Sequence, residues 1–257
     1  MNSKTIQRIR LFTAIFAAII YFAGLLGFFY PIKLFDINIA PLIQRILTEF
    51  TLIAGILLGF IFILTAVFGR IYCSTLCPLG LFQELCLLLF HRKKLPSQKN
   101  RHLKYFLAAI SFGTLFGGTV FVLRLIDPYT IFGSALSGTS YGIICLALIA
   151  ILTGWRGRSF CTNICPIGTI LGLISRQAHN KIYIDAKSCV ACGLCAQKCP
   201  SGCIDFKNKT VNNETCIKCF KCLGLCHNKG LKYGHQTNGK TTNSPAFSPS
   251  RRRFLIG

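Results

Sequence analysis

In 257 residues the chain carries 29 Lys and Arg against 7 Asp and Glu, for a formal net charge of +22, yet 52% of it is hydrophobic. A soluble protein with a few buried helices is excluded at this stage, because the apolar runs would leave too little polar surface. Nucleic acid is excluded as a partner, since no binding motif accompanies the basic charge.

The first element is an uncharged run from Leu11 to Tyr30. No small-x-small cleavage site follows it, and its exit reads Phe28-Phe29-Tyr30-Pro31, so it is expected to be an uncleaved anchor. Further uncharged runs span Phe50 to Phe68, Tyr105 to Leu123 and Ser137 to Trp155. Each is near the ~20 residues that a helix needs to cross a bilayer. The expected fold is therefore membrane α-helical, with four transmembrane helices arranged as two tandem two-helix repeats. Gly55, Gly59, Gly113 and Gly117 suit close helix packing.

The repeat is explicit after the second and fourth runs. Gly69-Arg70-Ile71-Tyr72-Cys73-Ser74-Thr75-Leu76-Cys77-Pro78-Leu79-Gly80 parallels Gly157-Arg158-Ser159-Phe160-Cys161-Thr162-Asn163-Ile164-Cys165-Pro166-Ile167-Gly168. Spaced i and i+4 on a helical turn, two thiols point the same way. Two such turns brought together by pseudo-symmetry would offer four thiolates to a third cluster or a soft ion such as Cu(I), or would form reversible dithiol/disulfide pairs. Arg70 and Arg158 would favour the thiolates. Apolar stretches, Leu79 to Phe90 and Ile167 to Ile174, follow each motif and are too short to span. Glu84 within the first reads as a snorkelling, solvated carboxylate, with proton relay as its functional alternative. Cys86 and Cys145 read as small packing residues. None of the five histidines falls inside a run, so no axial ligands for a membrane haem are provided.

Near the C-terminus, eight of the 15 cysteines form two copies of one spacing. These are Cys189-x-x-Cys192-x-x-Cys195-x-x-x-Cys199-Pro200 and Cys216-x-x-Cys219-x-x-Cys222-x-x-x-Cys226. Three thiolates of one loop fit three corners of an iron–sulfur cube, and the fourth reaches across to the other cube. Ile184 to Cys189 parallels Val211 to Cys216, giving a small α+β two-cluster bacterial ferredoxin domain with too little core to fold without its clusters. The lysines of the second run, Lys218 and Lys221, are expected to attract an acidic partner protein. Residues 234–250 read as a flexible linker, and Ser250-Arg251-Arg252-Arg253-Phe254-Leu255-Ile256 as a truncated twin-arginine-like motif.

Domain boundaries follow: a first repeat over 1–95, a second over 96–178, the dicluster domain over 179–233 and a basic tail over 234–257. Lys and Arg concentrate in 1–10, 70–104 and 156–257, leaving Lys33, Arg45 and Arg124 elsewhere. With four crossings those three groups share one side, so the N-terminus and the ferredoxin domain are expected to be cytoplasmic.

Cys73-Ser74-Thr75-Leu76-Cys77-Pro78, Cys161-Thr162-Asn163-Ile164-Cys165-Pro166 and the two four-cysteine runs together resemble the NapH/MauN-type membrane ferredoxins, whose relatives include the membrane parts of NosR and the RdxA/CcoG proteins. The resemblance implies a multi-pass protein of the bacterial inner membrane with two cytoplasmic 4Fe–4S clusters. Carried onto this chain, it assigns one cluster to Cys189, Cys192, Cys195 and Cys226 and the other to Cys216, Cys219, Cys222 and Cys199. Two departures stand out: His227 replaces the proline usual after the last cysteine, and Cys203 competes with Cys199. The expected function is electron relay between a cytoplasmic or quinone-pool donor and a partner oxidoreductase or redox protein. The alternative is a copper-binding, copper-reducing or metal-centre maturation protein built on Cys73, Cys77, Cys161 and Cys165. No catalytic residue is expected, and the chain reads as an electron-transfer subunit rather than a stand-alone enzyme.

Overall fold

The structure, a computed structural model, describes residues 3–25, 52–90, 101–116, 126–228 and 230–235. The tail with its twin-arginine-like motif lies outside these residues, as do Lys33, Arg45 and Arg124. The N-terminal part is helical. It comprises α1 (Ser3–Leu25), α2 (Leu52–Phe68), the single turn α3 (Tyr72–Thr75), α4 (Pro78–Leu89), α5 (Arg101–Phe116), α6 (Pro128–Leu136), α7 (Ser140–Arg156) and α8 (Pro166–Arg176). A π-helical turn, Phe160–Ile164, precedes α8. The C-terminal part pairs β1 (Asn180–Ile184) with β4 (Leu231–His235) and β2 (Ile204–Asp205) with β3 (Thr210–Val211), both antiparallel. Short helices α9 (Leu194–Gln197) and α10 (Lys221–Leu225) close the cysteine loops.

The expected four transmembrane helices are overturned: among the described residues no single helix is long and apolar enough to cross a membrane. Uncharged runs in the sequence do not coincide with uninterrupted apolar helices. Helix α1 has 23 residues, but its first turns carry Arg8 and Arg10, and Arg10 is only 5% exposed. Helix α2 stops after 17 residues because Gly69 turns left-handed at φ 84°, a conformation that ends helices. Helix α5 starts in charged residues, with Lys104 buried against Glu214. The fourth run is broken at Gly138 (φ 76°). Among the described residues, only the bent pair Thr130–Leu136 and Ser140–Arg156, at 117°, meets the length and composition of a span together.

The duplication read from the motifs extends into backbone geometry at a constant offset. Gly69 N–H donates to Thr65 O at 2.9 Å and Gly157 N–H to Thr153 O at 3.0 Å. Cys77 N–H donates to Tyr72 O at 3.1 Å and Cys165 N–H to Phe160 O at 3.0 Å. Cys77 (ψ 119°) and Cys165 (ψ 119°) are both extended, as a residue before proline prefers. Pro78 and Pro166 then open α4 and α8 at the position where a missing N–H costs nothing. Gly80 and Gly168 press against the backbone carbonyls of Cys73 and Cys161, with no room for a Cβ.

The helical part and the ferredoxin part are joined by a buried polar seam. Arg158 N–H donates to Pro200 O at 2.9 Å, and His179 N–H to Ala66 O at 2.8 Å. Arg70 Nη1 donates to Glu214 O at 3.0 Å, and Tyr233 O–H to Phe68 O at 3.2 Å. Glu84 gathers Arg10, Arg158 (2.8 Å) and Lys221 (3.1 Å) from three separate elements. The solvated Glu84 of the sequence reading is thus replaced by a half-buried hub.

Candidate iron–sulfur sites

The two ferredoxin loops repeat each other residue by residue. Ala191 (φ 53°) and Gly193 (φ 77°) in the first are left-handed, and so are Lys218 (φ 53°) and Phe220 (φ 56°) at the matching places in the second. Each left-handed L-residue costs about 1–2 kcal/mol. Strain of this kind persists only where the surroundings impose it, and it concentrates at functional sites. Here it curls each Cys-x-x-Cys-x-x-Cys loop back on itself.

In the second loop Cys199, Cys203, Cys216, Cys219 and Cys222 line one pocket together with Ile182, Ile204 and Phe220. Four of these are the cysteines expected there; Cys203 is the competitor, its Sγ 3.5 Å from that of Cys199. Cys203 S–H donation, followed by the positive charge of Lys218 and Arg70, lowers the Cys216 thiol against the effect of burial. Burial pushes the Cys219 thiol up to about 11 and raises the Cys222 thiol strongly as well. Such thiols ionise only when a metal supplies compensating positive charge. Around the first loop, Cys189, Cys192 and Cys226 all lie close enough to Cys195 for their charges to raise its thiol further, after burial. The structure thus brings Cys226 to the first loop and Cys199 to the second. His227 is exposed beside Cys226.

The lysines of the second loop differ from the surface attractors expected. Lys218 is fully buried, with Nζ donating to Asn213 Oδ1 at 2.7 Å, and Lys221 is engaged with Glu84.

The two Cys-x-x-x-Cys-Pro motifs also converge. Cys73, Cys77, Cys161 and Cys165 line one pocket with Tyr72 and Asp127, and all four are at most 6% exposed. The i, i+4 argument is not what unites them. The first turn ends at Thr75, before Cys77, and the second is π-helical, so each motif presents one thiol from a turn and one from the N-terminus of the next helix. Cys165 Sγ accepts from Gly168 N–H at 3.3 Å. Burial and then mutual repulsion raise the thiols of Cys77 and Cys165 strongly. Burial and the charge of Cys73 bring Cys161 to about 11, with Arg158 and Arg70 pulling it back.

Both arginines are 1% exposed, and each crosses to the other repeat. Arg70 Nη2 donates to Cys161 O at 2.8 Å, and Arg158 Nη1 to Cys73 O at 3.2 Å. Two residues here escaped sequence reasoning. Gln83 is fully buried and accepts from Cys161 Sγ at 3.0 Å. Asp127 caps α6 through Thr130 N–H at 3.0 Å; Asp127-Pro128 is a legible cap signature, although nothing in it announces a neighbouring thiol site. Cys86 and Cys145 line neither space.

Comparison with known proteins agrees with this chemistry. A family described as 4Fe-4S binding domain matches residues 50–96 and 141–184, one segment over each Cys-x-x-x-Cys-Pro motif. A second family of the same description matches residues 182–205. An uncharacterized protein of Methanocaldococcus jannaschii is 30% identical over 207 residues, which cover 77% of this chain and 78% of that protein. The ferredoxin-type protein NapH of Escherichia coli is 28% identical over 172 residues, or 61% of this chain and 59% of NapH. The methylamine utilization ferredoxin-type protein MauN of Paracoccus denitrificans is 28% identical over 160 residues, or 58% and 54%. No solved structure matches. These matches support an iron–sulfur electron-transfer role, and the chain belongs to the NapH/MauN-type family of 4Fe-4S ferredoxins.

Proposed function

We infer that this protein relays electrons between a cytoplasmic or quinone-pool donor and a partner redox protein. In this reading it holds two 4Fe–4S clusters, one on Cys189, Cys192, Cys195 and Cys226 and the other on Cys199, Cys216, Cys219 and Cys222. The observation that carries the assignment is the matched left-handed backbone of the two loops, with the four thiols of the second set lining one pocket. When bound, the clusters supply one-electron chemistry. The chain's own residues bind and screen them: Ile182, Ile204 and Phe220 exclude water from the second loop, and Lys218 and Arg70 place positive charge beside its thiolates. The ferredoxin domain occupies 179–233, after the repeats of 1–95 and 96–178.

Attachment to a membrane belongs to the same reading and is supported by the outward apolar side chains. Phe12, Phe16, Leu52, Ile53, Ile56 and Phe60 are each more than half exposed, as are Ile143, Leu148 and Trp155. An apolar surface of that extent marks contact with lipid or protein, and the basic excess favours a cytoplasmic position for the ferredoxin part.

Iron and acid-labile sulfide in anaerobically purified protein test the ligand sets. Cys189→Ser and Cys216→Ser are each expected to remove about four irons. Iron content unchanged by both substitutions would refute the assignment. Extraction by detergent, but not by high salt or carbonate, is expected of a lipid-seated protein; release by salt alone would overturn the membrane reading.

A further inference from the structure

The two halves of the ferredoxin part match closely enough for single positions to be compared. Cys203 lies four residues after Cys199 and Gly230 four residues after Cys226, and each stands immediately before a strand, β2 and β4. Asn212 N–H donates to Cys203 O at 2.8 Å, as Asp185 N–H donates to Gly230 O at 2.8 Å. Cys216 N–H in turn donates to Asn212 O at 3.1 Å, as Cys189 N–H donates to Asp185 O at 3.0 Å. Cys203 and Gly230 are therefore equivalent, each tied to the first cysteine of a loop through one bridging residue. In one half that position carries a buried thiol. In the other it has no side chain, and a Cβ there would meet Cys189 Cα at 3.1 Å.

We propose that Cys203 is a hydrogen-bond donor and not a ligand: its S–H bonds the ligand sulfurs of the second cluster and raises that cluster's reduction potential relative to the first. The proposal rests on the electron-relay reading and on its ligand sets.

Local geometry holds the thiol in place from two sides. Gly202 N–H closes a turn onto Cys199 O at 3.2 Å, and Gly202 is left-handed at φ 58°, a conformation that glycine adopts without steric cost. The chain doubles back there, and the Sγ atoms of Cys199 and Cys203 come to 3.5 Å. On its other side the Asn212 bridge sets Cys203 beside Cys216, and the Cys203 thiol hydrogen-bonds the Cys216 sulfur. At 7% exposure the thiol is shut away from solvent, and a buried polar group needs a protein partner. As cluster thiolates, Cys199 and Cys216 accept and cannot donate, so the direction of both contacts is fixed.

The same comparison separates donor from ligand. Cys199 holds the place in its run that Cys226 holds in the other. The counterpart of Cys203 is a glycine, which has nothing to ligate with. Cys199 is thus the ligand that the internal symmetry supplies, and Cys203 is an addition particular to one half.

Reduction adds negative charge to a cluster and its sulfurs, so a donor aimed at those sulfurs favours the reduced state. The first cluster lacks this donor. The two clusters are thereby made unequal, and the transferred electron favours the second. That loop is the one joined to the helical part, through Arg158 N–H on Pro200 O and Arg70 on Glu214 O.

The test is an EPR-monitored redox titration of anaerobically purified full-length protein, as wild type, Cys203→Ala and Cys203→Ser, with the iron of each counted. All three should hold the same iron. Cys203→Ala should make one potential more negative, by about tenfold in the reduction equilibrium, the worth of one hydrogen bond to a charged group, or about 59 mV for one electron. Cys203→Ser keeps a donor at the position and should recover most of that shift. An infrared difference spectrum, wild type minus Cys203→Ser, should show one S–H stretch. Unchanged potentials in Cys203→Ala would overturn the proposal. A serine variant shifted as far as the alanine one would overturn it too, since packing and not a donor would then set the potential. Loss of about four irons from Cys203→Ala, or no S–H stretch, would make Cys203 a ligand and overturn it equally. A wild-type protein without iron would instead refute the relay reading on which the proposal rests.

Discussion

Replacing Glu84 with Gln removes one charge from the seam while preserving shape. The side chain is 14% exposed and ties Arg10, Arg158 and Lys221 together. Burial works against its charge, but the Arg10 hydrogen bond and the charges of Arg158 and Lys221 outweigh it, holding the carboxyl at about 2 against an ordinary 4.5. That difference corresponds to roughly 3 kcal/mol of stability at neutral pH. Breaking a buried ion pair from one side costs about 3–5 kcal/mol by a separate route, so the two agree on about 3. Because the folded-state value is depressed, the stabilisation is complete above pH 4.5 and is lost as the pH falls through about 2. Denaturant unfolding of detergent-solubilised wild type and Glu84→Gln should therefore differ by about 3 kcal/mol at pH 7. The gap should hold down to about pH 5 and narrow below that as the wild-type carboxylate takes up protons. A gap under about 1 kcal/mol at pH 7, typical of exposed pairs, would refute the hub.

Further outcomes follow from the same geometry. Gly80→Ala and Gly168→Ala each drive a Cβ into a backbone carbonyl, of Cys73 and Cys161 respectively. Each should cost about 1–3 kcal/mol, read by thermal melting. Cys203→Ala should retain full iron if Cys199 is the ligand, whereas Cys199→Ala should lose a cluster; the reverse result would exchange their roles. Lys218→Met removes a cation that lies beside Cys216, so the second cluster's potential, followed by redox titration, should become more negative.

The cysteine loops were legible because cluster ligation is written in local spacing: three thiols in seven residues can be read without knowing the fold. Their left-handed residues were only half legible. Gly193 announces its conformation, whereas Phe220 and Lys218 adopt it against their own preference. Convergence of the two Cys-x-x-x-Cys-Pro motifs was visible as a repeat, but for the wrong local reason, since the helical turn breaks before the second cysteine. Glu84 was misread because its ion-pair partners Arg10 and Arg158 are each 74 residues away, beyond any sequence window. Lys218 was misread because a lysine ordinarily seeks water, and only tertiary packing reveals the Asn213 carbonyl waiting for it. The membrane spans failed as helices because counting uncharged residues ignores the left-handed glycines that end them and the arginine and lysine drawn into the seam.

The most direct test of the central claim is the EPR spectrum of the dithionite-reduced protein, recorded for the wild type and for Cys219→Ser. The account predicts a complex, spin-coupled signal from neighbouring reduced cubes in the wild type, simplified in the variant by loss of the second-loop cluster. A protein without iron–sulfur signals, its cysteines titrating as free thiols after anaerobic purification, would contradict the account.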